Sequence, residues 1–166
     1  MSRFTSSACR FIETDVGCHG VLARLDPYFE ILRDEWFAPL FPRARHARLY
    51  CAPDQHDTPR HFAATSDDGR RVIVAPEMAE LPVAHWVGIL AHELGHVSDM
   101  TTRRFGVSGR RLVEVSPSEW RRRGRDEVEL TADAIASRVM RRRIGYSGPC
   151  VLQELGARRP RPIGLR

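Results

Sequence analysis

The sequence predicts an α+β fold, a small twisted β-sheet packed on two helices, and three observations carry that expectation. Short stretches rich in β-formers, two of them flanking a turn signal, occupy residues 47–75. From Trp86 to Val97 the apolar spacing becomes that of a helix, and after a polar connection "DEVELTADAIASRVM" repeats the helical pattern.

Taken in order, "DPYFEILRDEWFAPLF" offers Asp26 as N-cap and Pro27 at the first helical position. Apolar Phe29, Leu32 and Trp36 then predict a helix of about three turns ending before Pro39. "ARLYCA" (Ala47 to Ala52) reads as a strand, and "HFAAT" and "RRVIVA" flank "SDDG", the signature of a hairpin. Trp86, Ile89, Leu90, Leu94 and Val97 form the apolar stripe of a helix that packs on the sheet. Thr101 to Ser116, with Gly106, Ser108 and Gly109, reads as a flexible loop. The next helix has two start signals: the capping box "SPSE" with Pro117 at its first position, and Gly124 with Asp126. Val128, Leu130, Ile135 and Val139 are its packing residues. "GPCVLQELG" predicts a short last helix. Residues 1–156 read as one domain and 157–166 as a basic flexible tail.

At 166 residues, with 42% hydrophobic and 28% charged residues, the composition is that of a globular domain able to bury a core. No run approaches the ~20 apolar residues of a membrane span, and the N-terminus lacks an apolar signal segment. A cytoplasmic location without membrane contact is the expectation. In a reducing compartment Cys9, Cys18, Cys51 and Cys150, which form no CxxC pair, would be free thiols. All 26 basic residues are arginine, and neither lysine nor asparagine occurs, a pattern of codon bias that weakens any inference from the net charge of +5. Arg121 to Arg125 and Arg141 to Arg143 therefore read first as solvated faces, with nucleic-acid binding left open.

The chemistry concentrates in "GILAHELGHVSDM". His92 and His96, four apart on a helix, point both imidazoles at one ion about 2.0 to 2.1 Å from each nitrogen. Glu93, one position on, is turned aside from the ion but can reach a water bound to it, where a general base belongs. With seven His and eleven Glu in the chain, HExxH arises by chance in roughly one such chain in fifty, so a second element must support it. That element is "ELTAD", thirty-three residues after His96. Glu129 and Asp133 share a helix face, with Ala132 and Ala136 small enough to let two helices approach closely. Glu129 would be the third ligand, and Asp133 would accept the proton of a ligand histidine's other nitrogen. Asp99, three residues after His96, is an alternative third ligand or an ion-pair partner of an arginine. Glu127 falls nearly opposite Glu129 and reads as solvated. Tyr146 and His85 are candidates for stabilising an oxyanion. His56 and His61 carry no spacing signal.

"HELGH" followed by "ELTAD" resembles the gluzincin metallopeptidases, whose pattern is HExxH and a later ExxxD, often ExxAD. Thr102 stands where a metzincin would have its third histidine. The resemblance covers about 75 residues from Arg70, and within that clan the chain looks most like small ImmA/IrrE-type or minigluzincin domains. Thr131 stands where the family often has Glu, and Asp133 where ImmA/IrrE-type proteins commonly have Asn. The resemblance implies a zincin-like fold, zinc ligands His92, His96 and Glu129, catalytic Glu93 and supporting Asp133. It also implies that Val72, Ile73, Val74 and Ala75 form, or lie next to, an edge strand that pairs with an extended substrate. The expected activity is zinc-dependent hydrolysis of a protein or peptide by metal-activated water, with regulatory partners as in ImmA/IrrE-type repressor-cleaving proteases. The alternatives are a non-catalytic, zinc-containing peptide-binding domain and a nucleic-acid-associated regulatory domain.

Overall fold

Cys18, Val21, Leu25 and Phe29 recur at helical spacing and are all buried. They place a helix, α1, over Val16–Ile31 in the computed structural model, which describes residues 16–52, 62–109 and 111–141. Asp26 is therefore not an N-cap, and Pro27 sits inside the helix. The buried stripe upstream outweighs the local start signal, although proline forfeits one helical hydrogen bond. A wider π turn, Leu32–Phe37, and a 3₁₀ turn, Pro42–His46, carry the chain to the sheet.

The sheet has three strands, β1 (Arg48–Cys51), β2 (Ala63–Thr65) and β3 (Arg71–Val74), in the order β1-β3-β2. β1 runs parallel to β3, and β2 runs antiparallel to it through the expected hairpin, whose turn places Gly69 at φ +66°. Cys18 and Cys51 form a disulfide joining α1 to β1, with Cα atoms 5.4 Å apart. For this pair the expected free thiols are corrected; Cys9 and Cys150 lie outside the described residues.

Helix α2, Val83–Thr102, lies against the sheet and is buried without a break from Trp86 to Asp99. Ile89, Leu90 and Leu94 are each at most 2% exposed, and burying such a side chain contributes about 1.5 to 3 kcal/mol. Its hydroxyls satisfy themselves within the helix: Ser98 donates to the Leu94 carbonyl and Thr101 to that of Val97.

The connection read as a flexible loop is instead a hairpin, β4 (Phe105–Ser108) with β5 (Arg111–Glu114), and Gly109 supplies the positive φ at its turn. Both helix-start signals are used. Ser116 and Glu119 close a reciprocal capping box on α3, Pro117–Arg122, and Gly124 precedes α4, Arg125–Met140. Ile135 and Val139 of α4 are buried in the core, whereas Leu130 is 40% exposed and does not pack as expected. The molecule is thus mixed α+β with two small sheets. No described helix is long and apolar enough to cross a membrane. The expected last helix and tail, with Tyr146, His56 and His61, lie outside the described residues.

Candidate metal centre

The site is built where α2 and α4 touch. Gly95 faces α4 so closely that a Cβ there would lie 2.4 Å from the Ala132 carbonyl oxygen. Glycine on one helix and Ala132 and Ala136, both fully buried, on the other permit that approach. It brings one turn of α4 against the two histidines.

His92 and His96 present their Nε2 atoms 3.0 Å apart, and Glu129 Oε2 lies 3.1 Å from the first and 3.4 Å from the second. On the other side of the His92 ring, Nδ1 donates to Asp133 Oδ1 at 2.7 Å. Since a carboxylate only accepts, this bond puts a hydrogen on Nδ1 and leaves the Nε2 lone pair facing the other two atoms. In that tautomer three electron-rich atoms converge on one point, an arrangement that could hold a cation. The ligand atoms of a tetrahedral zinc with bonds near 2.05 Å lie about 3.3 Å apart, and the separations here, 3.0, 3.1 and 3.4 Å, are close enough for the three side chains to fit such an ion. His92, His96 and Glu129 form the group of metal-ligating type found among the described residues.

The electrostatics point the same way. Burial opposes a charge on His92, but its bonds to Asp133 and Glu129 outweigh burial and push its pKa up to about 10. Burial raises the Glu129 pKa, yet hydrogen bonds from both histidines hold its carboxylate well below the usual range. The cluster favours a positive charge: without an ion, a proton on His92 Nε2 supplies it and bonds to Glu129, and a bound cation could take its place. His96 Nδ1 is buried without a hydrogen-bond partner among the described residues.

Glu93 is 3% exposed and does not join the cluster. Its carboxylate is held from the sheet side, where Thr65 Oγ1 of β2 donates to Oε2 at 2.7 Å and lies 3.1 Å from the Glu93 carbonyl. Thr65 carried no signal in the sequence, because the contact depends on sheet register.

The other singled-out residues separate from the site. Asp99 is fully buried and accepts two bonds from Arg123, at 2.6 and 3.2 Å, and one from Trp120 Nε1 at 2.9 Å. It is an ion-pair partner, committed away from the cluster, and Arg123 additionally donates to the Phe105 carbonyl at 2.9 Å. Arg121, Arg122 and Arg125 are exposed, as expected of a solvated face, but Arg123 departs from that expectation, its side chain only 3% exposed in the pair with Asp99. Glu127 is half-buried beside β4, with Oε1 3.5 Å from where a Cβ on Gly106 would stand, so its expected solvation is only partial. The His85 ring nitrogens are buried and unpartnered among the described residues, two helical turns or about 10 Å along α2 from His92.

Val72, Ile73 and Val74 belong to the middle strand, and with Ala75 they are buried. β3 spends one edge on β1 and the other on β2, so this stretch lies next to an edge strand and does not supply the edge itself. The edge beside the site is β2. Comparison of the chain with protein-family models, with curated proteins and with solved structures returns no match.

Proposed function

We propose that this chain is a zinc-dependent metallopeptidase with a zincin-like fold of the gluzincin kind, acting on a protein or peptide. The observation that carries the proposal is the convergence of His92 Nε2, His96 Nε2 and Glu129 Oε2 within 3.4 Å of one another, with Asp133 behind His92 and Glu93 held apart by Thr65.

In this reading His92, His96 and Glu129 hold the ion, and the ion, when bound, polarises the peptide carbonyl and acidifies water. Asp133 keeps the His92 ring in the tautomer that offers Nε2. Glu93 accepts a proton from the attacking water and returns it to the departing amine nitrogen as the C–N bond breaks. The burial of His92, Glu93 and Asp133 strengthens the charge interactions they make. The free edge of β2, rather than Val72–Ala75, receives an extended substrate by strand addition.

Elemental mass spectrometry and hydrolysis of a quenched-fluorescence peptide library test the proposal on the wild type, Glu93→Gln and Glu129→Ala. The expected result is one zinc per chain in the first two, zinc lost in the third, and hydrolysis reduced by about 10²- to 10⁴-fold with Glu93→Gln. A wild type that takes up no zinc, or a Glu93→Gln variant that cleaves as fast as the wild type, would overturn it. Zinc without any hydrolysis would favour a non-catalytic domain.

A further inference from the structure

The ladder between β2 and β3 fixes which backbone groups of β2 are spent. Ser66 N–H bonds to the Arg71 carbonyl and Ala75 N–H to that of Phe62, each at 2.9 Å or less. Alternate residues of an antiparallel strand bond to the same neighbour, so Phe62, Ala64 and Ser66 face β3. The N–H and C=O groups of Ala63 and Thr65 therefore point to the opposite edge, where no described strand pairs with them.

Thr65 is thus the one residue with both functions. Its backbone opens onto the free edge, while its side chain crosses to α2 and bonds to the Glu93 carboxylate at 2.7 Å. This bond occupies Oε2, and among the described residues no hydrogen bond reaches Oε1. A carboxylate with one oxygen anchored by a hydroxyl has its other oxygen fixed in direction, which is what proton abstraction from a positioned water requires.

We infer that Thr65 is a positioning residue for the general base: its hydroxyl aims Glu93, and its backbone registers an extended peptide on β2 against that same carboxylate. The inference rests on the peptidase reading. It adds to it a division of labour within one residue, in which the side chain acts on turnover and the backbone on binding.

Thr65→Val separates the two, because valine keeps the branched shape and the backbone but removes the hydroxyl. In the zinc-loaded full chain, with the peptide that the wild type cleaves fastest from a quenched-fluorescence library, kcat should fall about 10- to 100-fold, the range for losing a hydrogen bond to a charged group. KM and zinc content should stay near wild type, the melting temperature should fall by several degrees because the buried carboxylate loses its partner, and Thr65→Ser should restore most of the rate and of the stability. Should Thr65→Val not fold, Thr65→Ala gives the same comparison. A kcat within twofold of wild type in the folded variant, or a loss carried entirely by KM, overturns the role of Thr65 and leaves the peptidase reading standing. A wild type that loads zinc but cleaves nothing, with Glu93→Gln indistinguishable from it, overturns the peptidase reading and this inference together.

Discussion

Gly95→Ala adds one methyl group at the point where the two site helices are closest. The new Cβ would stand 2.4 Å from the Ala132 carbonyl oxygen, 3.0 Å from its carbonyl carbon and 3.1 Å from its Cα, all backbone atoms of α4. Ordinary contact begins at 3.4 Å, so the helices must part by about 1.0 Å, the difference between 3.4 and 2.4. Asp133 and Glu129 flank Ala132 on α4 and move with it. The 2.7 Å bond from His92 to Asp133 would stretch to about 3.7 Å, outside hydrogen-bonding range. Loss of that charge-assisted bond costs about 1.5 to 3 kcal/mol and residual crowding about 1 more, against about 1 kcal/mol regained from the better helix propensity of alanine. The net expectation is a destabilisation of about 1.5 to 3 kcal/mol in urea unfolding. Zinc affinity in a competition titration should fall about 10- to 100-fold, because the partner that orients His92 withdraws. The sign is decisive: on an isolated helix surface the same change stabilises. A Gly95→Ala protein as stable as the wild type, with equal zinc affinity, would refute the close packing of α2 on α4.

Two further outcomes follow from the charges. Asp99→Ala strips the buried Arg123 guanidinium, 3% exposed, of its carboxylate and should cost about 3 to 5 kcal/mol in urea unfolding, while the folded variant keeps one zinc per chain; zinc lost from a folded Asp99→Ala protein would return Asp99 to the ligand set. The pH dependence of the metal-free chain follows from His92, whose folded pKa near 10 lies above its ordinary 6.5. The stability gained from its proton is complete below pH 6.5 and is lost as pH rises through 10, so the melting temperature of chelator-treated protein should fall across that window. Asp133→Asn should flatten the fall, and zinc should abolish it by replacing the proton. A metal-free melting temperature constant from pH 6.5 to 10 contradicts the cluster's demand for a positive charge.

What was legible in the sequence is what depends on spacing along one helix. Trp86, Ile89, Leu90, Leu94 and Val97 located α2, and HELGH and ELTAD placed His92, His96, Glu129 and Asp133 on single faces that the fold then brings together. Contacts between distant elements were not legible. The partner of Glu93 depends on the β2–β3 register, and Asp99 meets Arg123 only after β4 and β5 reverse the chain. Cys18 and Cys51 pair because α1 begins ten residues before the start signal at Asp26 and so lies beside β1. The β4–β5 hairpin was hidden because its glycines read as a loop, although Gly106 packs against Val115 and Glu127.

The unbroken burial of α2 from Trp86 to Asp99 contrasts with α4, which leaves Asp126, Leu130 and Arg138 in solvent. The proposed ligand set is therefore divided between two elements with different opening free energies. Amides in the middle of α2 should exchange with solvent only when the whole chain opens, whereas those on the outer face of α4 should exchange through local excursions. A cation held between them would have an exit that spares the core: lifting α4 would withdraw Glu129 and Asp133 together and leave His92 and His96 on a helix that has not moved. The dissociation rate of the ion would then report the motion of α4 and not the lifetime of the fold.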